Sequence, residues 1–173
     1  MDENIYLVGL MAVGKTTIGR LLAKSLSREF YDSDDVVESR SGTDIEWIFD
    51  KEGEKGFRDR EESVLRDLCT KKGIIVSTGG GAVLRAANRR LLSSNGVVIH
   101  LDGSIDMLVK RTERDRSRPL LRDGNPQTIL AELKEKRDGL YQQVADYKFV
   151  TDAESPMVIA RSIVDRLRMD GKI

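Results

Sequence analysis

The chain has 173 residues, a length that favours one compact domain with a sizeable buried core. Its composition, with 39% hydrophobic and 34% charged residues, is typical of a globular protein with a well-solvated surface. Lys+Arg and Asp+Glu both number 29, so no net charge directs the chain to nucleic acid or to an anionic membrane.

Short apolar runs alternate with helical patterns in the first half of the chain. NIYLVGL (4–10) predicts a buried strand, and a helix follows it, with apolar residues at helical spacing at Ile18, Leu21, Leu22 and Leu26. EFYDSD (29–34) predicts a second strand with a carboxylate-rich end. The patterns that start at Ile45 and Val64 predict a short helix and then a longer one.

The second half continues the alternation. GIIVSTGGG (73–81) and GVVIHLD (96–102) predict the third and fourth strands, and YKFVT (147–151) predicts the last. The helices between and after these strands are marked by apolar residues at Ile105, Leu108, Ile129, Leu133, Leu140, Ile159, Ile163 and Leu167. Apolar strands separated by amphipathic helices predict an α/β fold with a parallel sheet covered on both faces, in a single domain.

The chain shows no sign of export or of membrane insertion. Its N-terminus lacks the basic start and long apolar stretch of a signal peptide, and no apolar run approaches the roughly 20 residues of a membrane span. Cys69 is the single cysteine, which excludes an intrachain disulfide and a cysteine-based zinc site. We therefore expect a cytoplasmic protein, with Cys69 as a buried packing residue.

The stretch GLMAVGKT (9–16) follows the first predicted strand directly. It contains the pattern G-x-x-x-x-G-K-[ST] as Gly9, Gly14, Lys15 and Thr16, between a strand and a helix as the pattern requires. Glycines let backbone N–H groups turn towards phosphate oxygens, and the helix adds the positive end of its dipole. We predict a phosphate-binding loop, with Lys15 at the β- and γ-phosphates and the Thr16 hydroxyl on Mg²⁺. The alternative is a plain glycine turn before a surface lysine.

Other motifs narrow the class of phosphate-loop protein. A GTPase should carry an N/T-K-x-D motif, and TKKG (70–73) lacks the aspartate; a motor ATPase should end a later strand in an acid, whereas IIVST leads into glycines. The acidic residue that holds Mg²⁺ is therefore expected in YDSD (31–34). Alternation along a strand end would put Asp32 and Asp34 on one side. Asp32 would hold Mg²⁺ through water and Asp34 would accept a proton from an alcohol. A solvated acidic turn that caps a helix is the alternative.

Taken together, the motifs resemble those of one enzyme family. GLMAVGKTTIGR, FYDSD, GFRDRE, STGGG, RPLL and KRDGLY, in this order and spacing, closely resemble shikimate kinase over about residues 4–168. The resemblance implies a three-layer α/β/α P-loop kinase with a five-stranded parallel sheet of order 2-3-1-4-5. It also implies transfer of the γ-phosphate of ATP, with Mg²⁺, to the 3-hydroxyl of shikimate, a step of aromatic amino-acid biosynthesis.

The resemblance assigns the nucleotide site to the phosphate loop and to two arginines. The loop residues are Ala12, Val13, Gly14, Lys15, Thr16 and Thr17. Arg111 matches a position that stacks on adenine, and the loop around 152–156 should complete the adenine site. Arg118, in RPLL, matches the arginine of a lid at about 112–125 that reaches the phosphates; Arg114, Arg116 and Arg122 are expected to be solvated charges.

The acceptor site is assigned in the same way. Arg58 and Arg137 match the family's carboxylate-binding arginines, and a guanidinium fork suits a planar carboxylate. Glu61, three residues after Arg58 on a helix, would hold that side chain in place, although a surface ion pair is the alternative reading for Arg58. Asp34 would orient or deprotonate the reacting hydroxyl. The glycine loop would approach the substrate through its backbone at Gly79, Gly80 and Gly81, and at Gly80 above all.

Three further expectations concern rigidity, partners and rival functions. Relatives usually have proline where this chain has Gly139, so the helix that carries Arg137 should be looser here. The resemblance implies a small-molecule partner and a monomer, with a substrate-binding segment at about 33–61, and no nucleic-acid or membrane partner. The rival readings are another small-molecule kinase, such as a gluconate or nucleoside-monophosphate kinase, and a non-catalytic nucleotide-binding subunit.

Overall fold

A computed structural model describes residues 3–113, 121 and 124–173. It contains a five-stranded parallel sheet of order β2-β3-β1-β4-β5, which confirms the predicted order. The strands are β1 (Asn4–Val8), β2 (Phe30–Asp32), β3 (Ile75–Ser77), β4 (Gly96–Asp102) and β5 (Tyr147–Val150). Every residue of β1 and β3 is buried, which explains why these strands are apolar without alternation.

Helices flank the sheet. They are α1 (Lys15–Leu26), α2 (Ser33–Ser41), α3 (Ile45–Leu68), α4 (Ala86–Asn95), α5 (Ile105–Thr112), α6 (Pro126–Val144) and α7 (Pro156–Met169). Helix α1 packs against α7, while α4 packs against α6 and β4. Among the described residues, no helix combines the length and the apolar character needed to cross a bilayer.

A separate helix, α2, follows the second strand directly, where the sequence reading gave a capped helix only as the alternative. Strand β2 ends at Asp32 and α2 starts at Ser33, so Asp34 lies in the first turn of a helix rather than on a strand end. The predicted strand-end alternation of Asp32 and Asp34 was therefore wrong in its local geometry. Asp32 caps α2, because its side chain accepts the backbone N–H groups of Asp34 and Asp35.

Two other helices differ from the predicted pattern. Helix α3 contains the predicted short and long helices, which meet at Gly53, where φ is 73° and ψ is 179°. Only glycine adopts such a conformation readily, so the residue allows the change of direction. Helix α4 was not predicted, because its sequence AANRRLLSSN offers few apolar positions; Leu92 is its one fully buried apolar side chain.

Candidate functional site

The phosphate loop connects β1 to α1 and owes its shape to residues with positive φ. Gly9 and Gly14 have φ of 149° and 110°, and Ala12 has φ of 64°. A side chain on Gly9 would place its Cβ 2.3 Å from the Leu101 carbonyl oxygen, so glycine is needed there for space as well. Ala12 carries a conformational penalty as a non-glycine residue, which is a feature often found at functional sites.

Lys15 closes this loop from the first turn of α1. Its Nζ donates hydrogen bonds to the carbonyl oxygens of Gly9 and Leu10 at 2.7 and 2.8 Å. The side chain is 8% exposed, so its positive charge is held inside the loop rather than in solvent. The plain-turn alternative with a surface lysine is therefore wrong.

The Thr16 hydroxyl lies beside the capping carboxylate of Asp32. It donates to Asp32 Oδ2 at 2.7 Å, and the Ser77 hydroxyl lies 3.4 Å from it. Asp32 thus caps α2 with one oxygen and faces the phosphate loop with the other. Hydroxyl and carboxylate oxygens are the ligands that Mg²⁺ prefers, and the residues present fit this ion.

A first cavity of about 320 Å³ opens above the phosphate loop. Its lining includes the six predicted loop residues, Ala12, Val13, Gly14, Lys15, Thr16 and Thr17, and both Asp32 and Asp34. Arg111 enters it from the end of α5 and donates to the carbonyl oxygens of Ala12, Val13 and Thr151 at 3.1, 2.9 and 3.3 Å. Thr151, Pro156 and Ile159 also line this cavity, and Pro156 belongs to the loop at 152–156 that is expected to complete the adenine site.

A second cavity of about 570 Å³ adjoins the first. The two share Thr16, Asp32, Asp34, Gly79 and Gly80 in their linings. The second cavity adds the two predicted arginines, Arg58 and Arg137, together with Gly81 and Glu61. A phosphate at the loop and a molecule between the arginines would therefore meet at the shared residues.

Arg58 is held by a fully buried carboxylate. Its Nη1 donates to Glu61 Oε1 at 2.9 Å, and Arg58 itself is only 7% exposed, so the surface-pair alternative is wrong. Burial raises the pKa of Glu61, and the neighbouring Arg58 and Arg137 guanidinium groups oppose that rise. The guanidinium also lies over the Phe57 ring, at 5.0 Å from its centroid. These contacts fix the direction in which Arg58 faces the cavity.

The glycine loop between β3 and α4 packs tightly against the charged residues. A Cβ on Gly79 would lie 2.7 Å from Glu61 Oε2 and 2.8 Å from Asp34 Oδ1, and a Cβ on Gly81 would lie 2.3 Å from Arg58 Nη2. At Gly80 the nearest atom would be 3.4 Å away. The backbone therefore lies closest to the charged side chains at Gly79 and Gly81.

Arg137 projects from α6 towards this loop and is 4% exposed. The helix runs without interruption through Gly139, and a Cβ there would meet no atom within 4 Å. Four residues after Arg137, the hydroxyl of Tyr141 donates to the Gly80 carbonyl oxygen. The loosening expected from Gly139 does not break the helix.

The structure adds polar residues to which the sequence motifs assigned no role. The Ser33 hydroxyl accepts the Gly79 N–H at 3.0 Å, which ties α2 to the glycine loop, and Ser77 lies beside Thr16. Ser33 stands between the two assigned acids of YDSD, a signal that could have found it. Tyr141 belongs to the quoted KRDGLY motif but was assigned no role.

Arg114, Arg116, Arg118 and Arg122 lie outside the described residues, as does most of the expected lid.

Comparisons with known proteins identify the family of the chain. The family model described as shikimate kinase matches residues 11–168. The chain belongs to the shikimate kinase family. Shikimate kinases of Vibrio parahaemolyticus and Pseudomonas fluorescens are 52% and 51% identical to it over 165 residues, covering 95% of this chain and 96% of each relative.

Solved structures of shikimate kinases superimpose on nearly the whole chain. A shikimate kinase from Acinetobacter baumannii in complex with shikimate is 45% identical, with a TM-score of 0.95 over 97% of this chain and 94% of that one. The Aquifex aeolicus shikimate kinase is 34% identical, with a TM-score of 0.84 over 97% and 98%. A gluconokinase from Sinorhizobium meliloti, at 15% identity and a TM-score of 0.58, shares the fold alone.

Membership of the family confirms several predictions together. The protein is an enzyme, a kinase of the shikimate pathway of aromatic amino-acid biosynthesis, and ATP is its co-substrate. The shikimate kinase reading is favoured over the gluconate kinase alternative, and the reading as a non-catalytic subunit is not supported.

Proposed function

We propose that the protein transfers the γ-phosphoryl group of ATP to the 3-hydroxyl of shikimate. The observation that carries this proposal is that the two cavities are adjacent and share lining residues. The phosphate loop lines the first cavity and two buried arginines line the second, while Asp34 and Gly80 line both. A donor phosphate and an acceptor hydroxyl can therefore be brought into contact.

The residues of the first cavity would hold the nucleotide. The phosphate-loop N–H groups and Lys15 would bind the β- and γ-phosphates, and Arg111 would lie against the adenine end. Thr16 would hold Mg²⁺ directly and Asp32 would hold it through water; bound there, Mg²⁺ would neutralise charge on the transferring phosphate. The buried position of Lys15 supports its role, because a fixed positive charge in a site with little water stabilises the transition state strongly.

The residues of the second cavity would hold shikimate, which carries one carboxylate and three hydroxyls. Arg58 and Arg137 would bind the carboxylate, since both are buried and forked donors bind planar carboxylates in pairs. The glycine loop, at Gly79, Gly80 and Gly81, would line the ring. Asp34 would orient the 3-hydroxyl and accept its proton while the oxygen attacks the γ-phosphorus and ADP departs.

Some parts of the proposal rest on the family resemblance and on general chemistry. Arg118, delivered by a lid at about 112–125, would complete the site, and a segment at about 33–61 would carry the acceptor side within one domain over residues 1–173. We propose a monomer that works in the cytoplasm, where ATP is available, without nucleic-acid or membrane partners. Light scattering during gel filtration tests the monomer directly.

An acceptor panel tests the proposed reaction. Formation of ADP is followed with Mg²⁺ and ATP in the presence of shikimate, gluconate or nucleoside monophosphates, each at the same concentration. Of the acceptors tested, we expect only shikimate to support turnover. Turnover with gluconate or a monophosphate instead would mean that the two arginines bind a different anion, and the proposal would be wrong.

A further inference from the structure

The glycine loop is tied to α6 by one fully buried tyrosine. Tyr141 lies in the last third of α6, and its hydroxyl donates to the Gly80 carbonyl oxygen. The Nη1 of Arg137, one turn earlier, lies 3.4 Å from where a Gly80 side chain would start. Residues four apart project from the same face of a helix, so α6 meets Gly80 with a cation and a hydrogen-bond donor together.

The carbonyl of Gly80 differs from those of its neighbours in how it is bound. Gly79 and Gly81 accept backbone N–H groups from Ala82 and Leu84, at 3.0 and 3.1 Å, within the same turn. The bond from Tyr141 instead joins the loop to a distant element, 61 residues along the chain. Three successive glycines have wide conformational freedom, so such a tether restricts the loop more than a bond within the turn does.

The surroundings of Tyr141 hold its hydroxyl in place. The ring stacks on His100 of β4, with centroids 5.0 Å apart and planes tilted by 31°. Burial raises the pKa of the Tyr141 hydroxyl far above its ordinary value, so that it stays protonated and remains a donor. On the other side of Gly139, Lys134 bonds to Asp102 of β4 at 2.7 Å, so α6 is anchored before and after its glycine.

We propose that Tyr141 is a positioning residue for the acceptor, which holds the Gly80 backbone and Arg137 in one fixed arrangement. The inference rests on the proposed function of the second cavity. Because Gly80 lines both cavities but Arg137 lines only the second, loss of the tether should weaken shikimate binding more than nucleotide binding. The tether would also hold Arg137 in place on a helix that contains Gly139.

The variant Tyr141→Phe removes the hydroxyl and keeps the ring. Tyr6→Phe is a matched control, because Tyr6 is also fully buried and hydrogen-bonded, but its partners, Cys69 and Asn4, line neither cavity, unlike Gly80. We expect the KM for shikimate to rise roughly five- to tenfold in Tyr141→Phe alone, with a clearly smaller change in the KM for ATP. Both variants should lose thermal stability to a similar extent.

Calorimetric titration with shikimate in the absence of ATP measures the same effect without catalysis. Equal shikimate affinity in the two tyrosine variants would overturn the inference, whereas a parent protein with no shikimate-dependent turnover would overturn the proposed function instead. If Tyr141→Phe does not fold, His100→Leu serves as the second variant, since it removes the ring on which Tyr141 stacks. We expect a smaller rise of the shikimate KM there, and an unchanged value would count against the inference.

Discussion

Single alanine substitutions at the three glycines of the loop test how closely its backbone approaches the charged side chains. Gly81 has φ of −96° and ψ of 7°, a conformation that alanine accepts, so Gly81→Ala introduces a steric change without backbone strain. Its Cβ would lie 2.3, 2.5 and 2.6 Å from three atoms of the Arg58 guanidinium. Arg58 must therefore move by about 1 Å to restore an ordinary contact, against its bond to Glu61 and its packing on Phe57.

A displacement of about 1 Å in a substrate-binding group costs on the order of 100-fold in rate. We expect kcat/KM for shikimate to fall by about that factor in Gly81→Ala, with the KM for ATP unchanged. Gly79→Ala should be comparably severe, because its Cβ would meet Glu61 and Asp34 within 2.8 Å. Gly80→Ala should be milder, since its nearest contact would be 3.4 Å.

Steady-state kinetics at saturating ATP, combined with thermal unfolding, separates the steric effect from loss of the fold. Gly139→Ala is the matched control, because its Cβ meets nothing within 4 Å and alanine favours a helix over glycine by about 1 kcal/mol. It should raise the melting temperature and leave the shikimate KM unchanged. A Gly80→Ala variant that is worse than Gly81→Ala would refute the steric reasoning.

Three other predictions use different measurements. Lys15→Ala should nearly abolish turnover, because the transferring phosphoryl loses a fixed charge, and a near-normal kcat would refute the phosphate-loop assignment. Arg118→Ala should lower kcat by about 10³–10⁵ without changing calorimetric shikimate affinity, while Arg114→Ala and Arg116→Ala should be nearly silent; equal losses at all three would indicate general lid charge instead. Burial lowers the pKa of His100 in the folded protein. As pH falls, the unfolded chain therefore binds a proton at this histidine at a higher pH than the folded protein does, and the free energy of unfolding should decrease below about pH 6.5. His100→Phe should reduce this fall in urea titrations, and an equal fall in both proteins would contradict the argument.

The features that depend on local pattern could be predicted from the sequence. Buried parallel strands such as β1 and β4 are apolar along nearly their whole length, and the phosphate loop is encoded in eight consecutive residues, so both could be recognised from the order of residues alone. Family resemblance then singled out Arg58 and Arg137, which lie far apart in the chain and line one cavity.

The features that sequence could not predict depend on neighbours in space. Asp32 both caps α2 and accepts a hydrogen bond from the Thr16 hydroxyl. No pattern of apolar spacing reveals that a helix starts at Ser33. The close packing of Gly79 and Gly81 follows from the positions of the Glu61 and Arg58 side chains. Tyr141 resembles any core aromatic of a helix in the sequence, and only the fold brings its hydroxyl to the Gly80 carbonyl.

The central claim is that one site transfers phosphate directly from ATP to the 3-hydroxyl of shikimate. The most direct measurement follows a single reaction mixture by ³¹P nuclear magnetic resonance, with and without shikimate, and assigns the product from its coupling to the ring protons. We predict one ADP for each shikimate 3-phosphate formed, and almost no ADP without shikimate. ADP release that ignores shikimate, or a phosphate on another hydroxyl, would contradict the account.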